Sequence, residues 1–341
     1  MTTQKILIIQ TAFLGDVILT LPLLQELKIK FPESEIDFLC IPETSELLKG
    51  NPFVNEIISY DKKNSGIIGS WELIKKLRNK NYDFLFSPHR SFRSSLISFL
   101  SNAKKTVSFD KSSFSFLYNE KIIYKKDIHE IQRNLSLLEI TGIKEERIIR
   151  PELFISIQDK RKIDSLFYEY KIKNGEKFIT IAPGSVWFTK RFPEEKFVKL
   201  CDLLQILNTK IFLTGGKKDK FISDFIQNNS KNRNIINVTG TFSILESAEL
   251  IKRSEVLITN DSAPLHISNA VETNVVAIFG ATVPEFGFYP TGRNDIVIQT
   301  NGLSCRPCSI HGGKKCPIGT FVCMKNIKEE EIVSAVKKLL S

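Results

Sequence analysis

The stretch 259–266 holds the polar side chains that point most clearly to chemistry. Its sequence, Thr-Asn-Asp-Ser-Ala-Pro-Leu-His, follows an apolar run that begins at Val256, and a second apolar run arrives about a dozen residues later. This pattern predicts a strand, a loop and a helix whose first N–H groups bind phosphate at the carboxyl edge of a parallel sheet. The alternative is that Asp261 or Ser262 only caps the helix. His266 is either a packed histidine or a contact to phosphate or sugar.

Two further loops in the same half of the chain carry polar residues after predicted strands. Ala-Pro-Gly-Ser ends at Ser185 and is followed by Lys190, and Thr-Gly-Gly-Lys-Lys-Asp ends at Asp219. A lysine at this edge could neutralise the charge that builds on a diphosphate during bond cleavage. Asp219 is suited to accept hydrogen bonds from a ribose. The alternatives are a solvated basic residue for Lys190 and an ordinary glycine turn before Asp219.

Gly15 and Asp16 hold the corresponding place in the first half, where the first predicted strand runs into the first predicted helix. A carboxylate at this edge could act as a general base toward a hydroxyl, a role worth roughly 10² to 10⁴ in rate. The alternative is a helix-capping aspartate. The first strand is not followed by G-x-G-x-x-G, and no G-x-x-x-x-G-K-[ST] occurs, which disfavours dinucleotide dehydrogenases and P-loop enzymes.

Four of the six cysteines fall within nineteen residues near the carboxyl end, with the spacing C-x₂-C-x₇-C-x₆-C. They are Cys305, Cys308, Cys316 and Cys323. Four thiolates could bind a structural zinc ion, although the second pair is not a C-x-x-C knuckle. The alternative, that the thiols pack as small apolar groups, is favoured. No metal or other cofactor is expected to be required for activity.

Composition indicates a globular protein with two domains. The chain has 341 residues, 42% of them hydrophobic, and no apolar stretch long enough to span a bilayer. We therefore expect a cytoplasmic protein. The net charge is +10, and residues 51–150 carry 18 Lys and Arg against 11 Asp and Glu, which suits an acidic partner. Basic residues that could meet it include Arg90, Arg93, Lys104 and Lys105. They are scattered and no nucleic-acid-binding motif occurs, so nucleic acid is not expected as a partner.

Strand and helix patterns alternate along both halves, which predicts an α/β fold with two parallel sheets. We predict an N-terminal Rossmann-like domain at 1–165, a C-terminal one at 175–325 and a closing helix at 326–341. Predicted strands are 5–10, 35–41, 54–60, 84–87, 106–109, 178–182, 210–214, 235–238, 256–260 and 275–280. Predicted helices are 17–31, 71–79, 94–101, 194–207, 220–228, 245–251 and 328–340, and 140–177 is charged and helix-like.

In this order, the motifs resemble those of the ADP-heptose:lipopolysaccharide heptosyltransferases of glycosyltransferase family 9. The resemblance rests on 11–22, 182–185 with 190–193, 215–216 and 259–266, and the cysteine-rich tail looks most like the second heptosyltransferase of the inner core. It spans nearly the whole chain. It implies a GT-B fold, in which two Rossmann-like domains face each other across a cleft, with the acceptor on the first domain and the nucleotide-sugar on the second.

The resemblance also implies roles for individual residues. Asp16 would be the catalytic base, Lys190 would contact the donor phosphates, and Asp261 would hold the donor sugar. The remaining predicted substrate contacts are Gly15, Ser185, Asp219, the N–H groups of Ser262 and Ala263, and His266. One position departs from the family, which usually has glycine where Ala263 stands. A backbone that needs a positive φ or a very close phosphate contact would be disturbed by this alanine.

The implied reaction is an inverting transfer of heptose from ADP-heptose to the lipid-linked inner core of lipopolysaccharide, without a divalent metal. Such an acceptor would bring the protein to the inner face of the inner membrane, as a peripheral partner with no anchor of its own. One alternative is a family 9 transferase that uses another nucleotide-sugar or acceptor. Another is a non-catalytic nucleotide-sugar-binding protein, for which the alanine at 263 is the only hint in the sequence.

Overall fold

A computed structural model describes residues 3–61, 64–144 and 146–341, and at 67 the backbone alone. The chain divides into two compact units, Met1–Phe154 and Ile155–Ser341. The first unit alternates strands and helices from its start, because short β-branched runs are separated by amphipathic segments. Its strands are β1 (Lys5–Ile9), β2 (Glu35–Cys40), β3 (Glu56–Ser59), β4 (Phe84–Ser87), β5 (Lys105–Phe109) and β6 (Glu120–Ile122). Its helices are α1 (Leu14–Lys30), α2 (Pro42–Ser45), α3 (Gly66–Lys80), α4 (Phe92–Leu100) and α5 (Glu130–Ser136).

The second unit begins with a helix and then repeats the alternation. Its strands are β7 (Phe178–Ala182), β8 (Lys210–Leu213), β9 (Ile235–Asn237), β10 (Val256–Asn260), β11 (Asn274–Phe279) and β12 (Ile296–Gln299). Its helices are α6 (Ile157–Glu169), α7 (Glu194–Leu204), α8 (Lys220–Asn229), α9 (Ile244–Lys252), α10 (Ala263–Ala270), α11 (Val322–Lys325) and α12 (Glu329–Leu340).

Each unit contains one six-stranded parallel sheet, with the order β3-β2-β1-β4-β5-β6 in the first and β12-β11-β10-β7-β8-β9 in the second. Counted within each unit, both orders are 3-2-1-4-5-6, the order of dinucleotide-binding Rossmann folds. The order reverses between β1 and β4 in the first sheet and between β7 and β10 in the second. Ligands of such sheets bind at the carboxyl ends of the strands at this switch point. The predicted α/β class with two parallel sheets is confirmed.

Apolar side chains on both faces of the second sheet form its core, as expected for a parallel sheet covered by helices. All residues of β7 and β10 are buried. The closing helix α12 packs into this core through Ile332, Val333 and Val336. Its Glu329 carboxylate forms ion pairs with Lys196 and Lys199 of α7. Helix α6 also lies with the second unit, where Arg253, the residue after α9, donates a hydrogen bond to the Asp164 carboxylate.

Several predicted element bounds are wrong. The first helix begins at Leu14 instead of Val17, so Gly15 and Asp16 lie in its first turn and not in a loop. The third helix begins at Gly66 instead of Trp71. The charged segment 140–177 is helical mainly over Ile157–Glu169, and its residue Glu145 lies outside the described residues. Short elements with no clear period, β6, β12, α5 and α11, were not predicted. Within the described residues, no helix is long and apolar enough to cross a membrane.

Candidate active site

Lys190 and Asp261 form an ion pair at the carboxyl edge of the second sheet. Lys190 ends the 3₁₀ turn Phe188–Lys190, and Asp261 directly follows β10. The Nζ of Lys190 lies 2.6 Å from Oδ2 of Asp261, and the hydroxyl of Thr282 donates a hydrogen bond to the same oxygen. Only 14% of the Lys190 side chain and 5% of the Asp261 side chain are exposed. The residues predicted to contact the donor phosphates and the donor sugar are therefore brought together.

Hydrogen bonds join the loops after β7 and β10 across the switch point. The side-chain amide of Asn260 donates a hydrogen bond to the carbonyl of Pro183 at 2.8 Å. The hydroxyl of Ser262 donates one to the carbonyl of Gly184 at 3.4 Å. The Ser262 side chain accepts no hydrogen bond from the first turn of α10, so the capping interpretation of this side chain is wrong. In the described part of the chain, the N–H groups of Ser262 and Ala263 have no protein acceptor. The helix start is therefore available to an anion.

Asp219 lies against the backbone of the loop after β7. Its Oδ2 accepts a hydrogen bond from the N–H of Gly216 at 3.0 Å. A Cβ on Gly184 would come within 2.2 Å of the Asp219 carboxyl group, so only glycine permits this close approach. Burial raises the pKa of Asp219, while the Gly216 N–H and the charges of Arg191 and Lys218 oppose the rise. The carboxylate thus lies where the loops after β7 and β8 meet and can accept a hydrogen bond from a sugar hydroxyl.

Ser185, Ala263 and His266 are the other predicted residues of this unit. Ser185 is buried, and its carbonyl accepts a hydrogen bond from Nε of Arg191 at 2.6 Å. His266 is buried one turn into α10, with its ring centroid 6.5 Å from that of Phe288. Ala263 is the first residue of α10 and has helical backbone angles. The alanine therefore needs no positive φ and causes no backbone strain, while its effect on a very close phosphate contact stays a prediction.

The cysteine-rich segment packs against the turn that carries Lys190. The N–H of Gly313 donates to the hydroxyl of Thr189 at 2.8 Å, and the N–H of Thr189 donates to the carbonyl of Gly313 at 3.1 Å. Gly312 has a φ of +85°, and a Cβ on it would lie 2.9 Å from Cγ of Lys190. This glycine therefore allows the segment to contact the aliphatic part of the lysine. The segment supports the position of Lys190.

Arg306 anchors the same segment to the sheet edge. Its guanidinium donates to the carbonyl oxygens of Gly280 at 2.6 Å, Thr282 at 2.7 Å and Thr300 at 3.0 Å. Gly280 and Thr300 directly follow β11 and β12, so one side chain joins the ends of two neighbouring strands. Arg306 also holds the backbone of Thr282, whose hydroxyl donates a hydrogen bond to the Asp261 carboxylate.

The pKa values of Cys316 and Cys323, two of the clustered cysteines, are shifted in opposite directions. Although burial alone raises it, the pKa of Cys316 is lowered by hydrogen bonds from the backbone N–H groups of 318–321. Burial raises the pKa of Cys323 to about 11. Among the residues that the structure describes, no three His, Cys, Asp or Glu side chains are arranged to hold a metal ion. The structural zinc ion considered from the cysteine spacing stays a prediction, which metal analysis of the purified protein tests.

In the first unit, Asp16 lies in the first turn of α1 and is half-buried. Its Oδ2 accepts a hydrogen bond from the N–H of Phe13 at 3.1 Å, which closes the turn between β1 and α1. Gly15 precedes it in the same turn. The alternative that Asp16 caps the helix is therefore correct, since its carboxylate accepts the N–H of Phe13 at the start of α1. An ionised carboxylate has about four lone-pair sites, so the bond from Phe13 does not by itself prevent Asp16 from accepting the proton of a hydroxyl.

A second carboxyl, Glu130, lies near Asp16 because α5 packs against α1. The Oε2 of Glu130 is 2.8 Å from Nη1 of Arg133, and 12% of the Glu130 side chain is exposed. Burial raises the pKa of Glu130 to about 7, with the charge of Arg133 opposing the rise and that of Asp16 adding to it. The guanidinium groups of Arg90 and Arg133 both lie over the Tyr124 ring, at 4.0 and 5.1 Å from its centroid. Asp16, the predicted base, therefore has the titratable carboxyl group of Glu130 as a neighbour, and the charges of Arg133 and Arg90 act on that group.

His89 follows β4 and contacts the loop after β1, across the switch point of the first sheet. Its Nδ1 lies 2.9 Å from the hydroxyl of Thr11 and 3.1 Å from that of Ser94. Of the scattered basic residues of this unit, Lys104 pairs with Asp83 at 2.8 Å. The polar edge of the first unit therefore comprises the loop that leads into α1, the first turn of α1 with the predicted base, and the start of α4.

Sequence reasoning missed several residues that shape these two edges. They are Thr282, Arg306, Glu130, Arg133 and Tyr124. For Glu130 and Arg133 a local signal exists, since Gln132 accepts a hydrogen bond from the N–H of His129 as in a capping box. No local pattern marks Thr282 or Arg306, because their partners lie far away in the chain.

Comparison with known proteins agrees with the fold. The chain is similar over its whole length to lipopolysaccharide heptosyltransferase 1 of Campylobacter coli, with 27% identity over 98% of this chain and 99% of that protein. It is also 27% identical to lipopolysaccharide heptosyltransferase 3 of Escherichia coli K12, over 96% of this chain and 95% of that protein. The solved structure of Escherichia coli ADP-heptose lipopolysaccharide heptosyltransferase II has a TM-score of 0.81 and 21% identity, covering 99% of this chain and 98% of that one.

The two parallel sheets with Rossmann order, together with this likeness, define a protein with the GT-B fold. Residues 70–316 match the model of glycosyltransferase family 9 (heptosyltransferase). The match covers more than half of the chain, and the chain therefore belongs to that family. It is a glycosyltransferase.

Proposed function

We propose that this protein transfers a heptose from ADP-heptose to the inner core of lipopolysaccharide. The observation that carries the proposal is the Lys190–Asp261 pair beside the open start of α10, at the switch point of the second sheet. A lysine, a helix start and nearby carboxylates suit a sugar linked to a nucleoside diphosphate. The names of the heptosyltransferase relatives support heptose as the sugar and lipopolysaccharide as the acceptor.

The proposed mechanism is a single displacement that inverts the anomeric carbon. Asp16 takes the proton of an acceptor hydroxyl, whose oxygen forms a bond to the anomeric carbon while the bond from that carbon to ADP breaks. Diphosphate is a good leaving group, so the leaving oxygen needs no acid. Lys190 and the N–H groups of Ser262 and Ala263 stabilise the charge that develops on it. Asp219 and Asp261 hold the ribose and the heptose, and Ser185, His266 and Gly15 line the substrate positions.

The mechanism is tested by Asp16→Asn, with Asp127→Asn as the control. Asp127 is an exposed aspartate of the same unit, so its substitution should leave turnover unchanged. With ADP-heptose and a core acceptor, we expect Asp16→Asn to release ADP at least 10²-fold more slowly, the lower end of the roughly 10² to 10⁴ contributed by a general base. Donor binding, measured by calorimetry, should be nearly unchanged. Near-normal turnover of Asp16→Asn contradicts the assignment of the base.

Donor and acceptor identity are tested by varying each substrate separately. A panel of nucleotide-sugars should show the largest thermal stabilisation with ADP-heptose, and stronger stabilisation by another sugar would favour a different family 9 transferase. Acceptors with and without a first heptose distinguish a second-heptose transferase, which we propose from the cysteine-rich tail, from one that adds the first. Donor binding without any ADP release would favour a non-catalytic protein. We further propose cytoplasmic placement with peripheral contact to the inner membrane, because the acceptor is lipid-linked.

A further inference from the structure

Helix α4 exposes three of its five apolar residues, while three serines lie with Ile97 on its buried side. Phe92, Leu96 and Phe99 share one face of the helix, and their exposed fractions are 50%, 38% and 55%. The buried positions include Ser94, Ser95 and Ser98, each fully buried. These serines are satisfied within the protein, since Ser98 donates to the Ser94 carbonyl and Ser95 donates to the Ser113 carbonyl. A surface helix normally turns its large apolar side chains toward the core, as Ile97 and Leu100 do here, so the exposed side chains of Phe92, Leu96 and Phe99 form a second apolar face that the first unit leaves uncovered.

The loop after β5 extends the exposed apolar face. The ring centroid of Phe114 lies 4.9 Å from that of Phe92 and 5.5 Å from that of Phe116, and 48% of Phe114 and 71% of Phe116 are exposed. Phe114 has a φ of 56°, a left-handed conformation that is unfavourable for a residue with a side chain. Phe92, Leu96, Phe99, Phe114 and Phe116 form what we call the phenylalanine patch. An exposed cluster of this kind is characteristic of an interaction surface.

The charges around the patch are basic. Between residues 84 and 119 the chain has five Lys and Arg and one acidic residue, Asp110. The Asp110 carboxylate already accepts the N–H of Tyr124 at 2.8 Å and lies 3.7 Å from Nζ of Lys111. Arg93 is exposed on α4 itself, and 64% of the Lys111 side chain is exposed. Large apolar side chains flanked by exposed cations suit an anionic lipid surface. Against a second copy of the patch, the same cations would face each other.

The patch lies close to the carboxyl edge of the first sheet, which we call the acceptor edge because the acceptor is predicted to bind the first unit there. Helix α4 starts at that edge, where His89 contacts Thr11 at 2.9 Å, and Thr11 belongs to the loop that leads into α1 and Asp16. Phe13 of the same loop is also exposed, at 49%. A membrane against α4 would therefore lie beside the loop that leads to the base Asp16 in the first turn of α1.

We propose that the phenylalanine patch is a membrane-docking surface that inserts into the headgroup region of an anionic bilayer. Arg93 and Lys111 contact the lipid phosphates, and the patch holds the acceptor edge of the first unit at the surface from which a lipid-linked acceptor projects. The inference rests on the proposed function for the nature of the acceptor. It goes beyond that function in giving the chain an attachment surface of its own, which replaces the sequence expectation that the acceptor alone brings the protein to the membrane.

The test is flotation with vesicles of phosphatidylethanolamine and phosphatidylglycerol. We compare the double variant Phe114→Ser/Phe116→Ser with Tyr168→Ser/Ile206→Ser, which removes two apolar side chains of the second unit that are 90% and 73% exposed. All four residues are exposed, so neither variant should lose its fold. We expect the patch variant to bind vesicles at least tenfold more weakly, and the control to bind like the original protein. Arg93→Glu/Lys111→Glu should also lose binding, and added salt should weaken the binding of the original protein.

Equal flotation of the patch variant and the original protein, or no binding by the original protein, would overturn the proposal. So would a dimer that the patch substitutions dissociate in sedimentation equilibrium, because a second copy would then cover the patch. ADP release with a lipid-free acceptor separates this proposal from the proposed function. The patch variant should retain that activity. Vesicle binding without heptose transfer would refute only the function, and transfer without vesicle binding would refute only the docking surface.

Discussion

Replacing Lys190 by Met should destabilise the second unit, because it leaves the Asp261 carboxylate buried without its cation. The two charges lie 2.6 Å apart and are largely removed from water. Removal of one partner of a buried ion pair costs about 3 to 5 kcal/mol in the free energy of unfolding. Because Thr282 still donates a hydrogen bond to the carboxylate, we expect the lower end, about 3 kcal/mol. The double variant Lys190→Met/Asp261→Asn has no uncompensated charge and should lose only about 1 kcal/mol.

Urea unfolding followed by tryptophan fluorescence measures these values. The chain has two tryptophans, Trp71 in the first unit and Trp187 in the second, so a Trp71→Phe background reports on the second unit. The control cycle uses Lys220 and Asp224, an exposed pair 3.0 Å apart on α8, whose coupling should be at most about 0.5 kcal/mol. ADP-heptose binding separates stability from function. We expect the double variant to recover stability while donor affinity stays lowered by roughly ten- to a hundredfold, the loss of one charged hydrogen bond.

Two results would refute this reasoning. If the losses of the two single variants simply add in the double variant, Lys190 and Asp261 do not interact as their distance indicates. If the double variant binds the donor with normal affinity, the pair only stabilises the fold and is not part of the donor site.

Two other predictions concern the neighbours of the proposed site. The pKa of Glu130 is raised from 4.5 to about 7, so its contribution to stability is fully present below pH 4.5 and is lost as the pH rises through 7. Between these pH values, the free energy of unfolding of the original protein should fall relative to that of Glu130→Gln by about 3 kcal/mol at most. The prediction would be contradicted if urea unfolding gave the same pH dependence of this free energy for both proteins. Gly184→Ala should displace the Asp219 carboxylate, which lies 2.2 Å from the added carbon, and raise the KM for the donor while the far-ultraviolet circular dichroism stays unchanged. In a Gly302→Ala control nothing lies within 4 Å of the added carbon, but the φ of +74° strains an alanine, so this variant should lose stability and keep its KM. Equal KM values for the two variants would contradict the role of the close approach.

The sequence predicted the elements that repeat a clear period. The buried strands β1, β7 and β10 and the helix start at 261–263 are all encoded in short apolar or capping patterns. Because parallel strands place their following loops at one edge, the sequence also predicted which loops of the second unit would meet. The bounds were less accurate where a polar turn merges into a helix, as at Leu14, because the first turn of a helix needs no apolar residue.

What the sequence by itself determined is the family, the α/β class, the alternation of strands and helices, and the candidate residues Asp16, Lys190 and Asp261. The tertiary structure alone decided how they are partnered. Lys190 and Asp261 are 71 positions apart and meet because β10 pairs with β7, and Glu130 approaches Asp16 because α5 packs on α1. Strand order and the choice of which apolar side chains of α4 are exposed also depend on distant partners. A local pattern reports the period of a segment, whereas burial, ion pairing and pKa depend on which distant segments surround it.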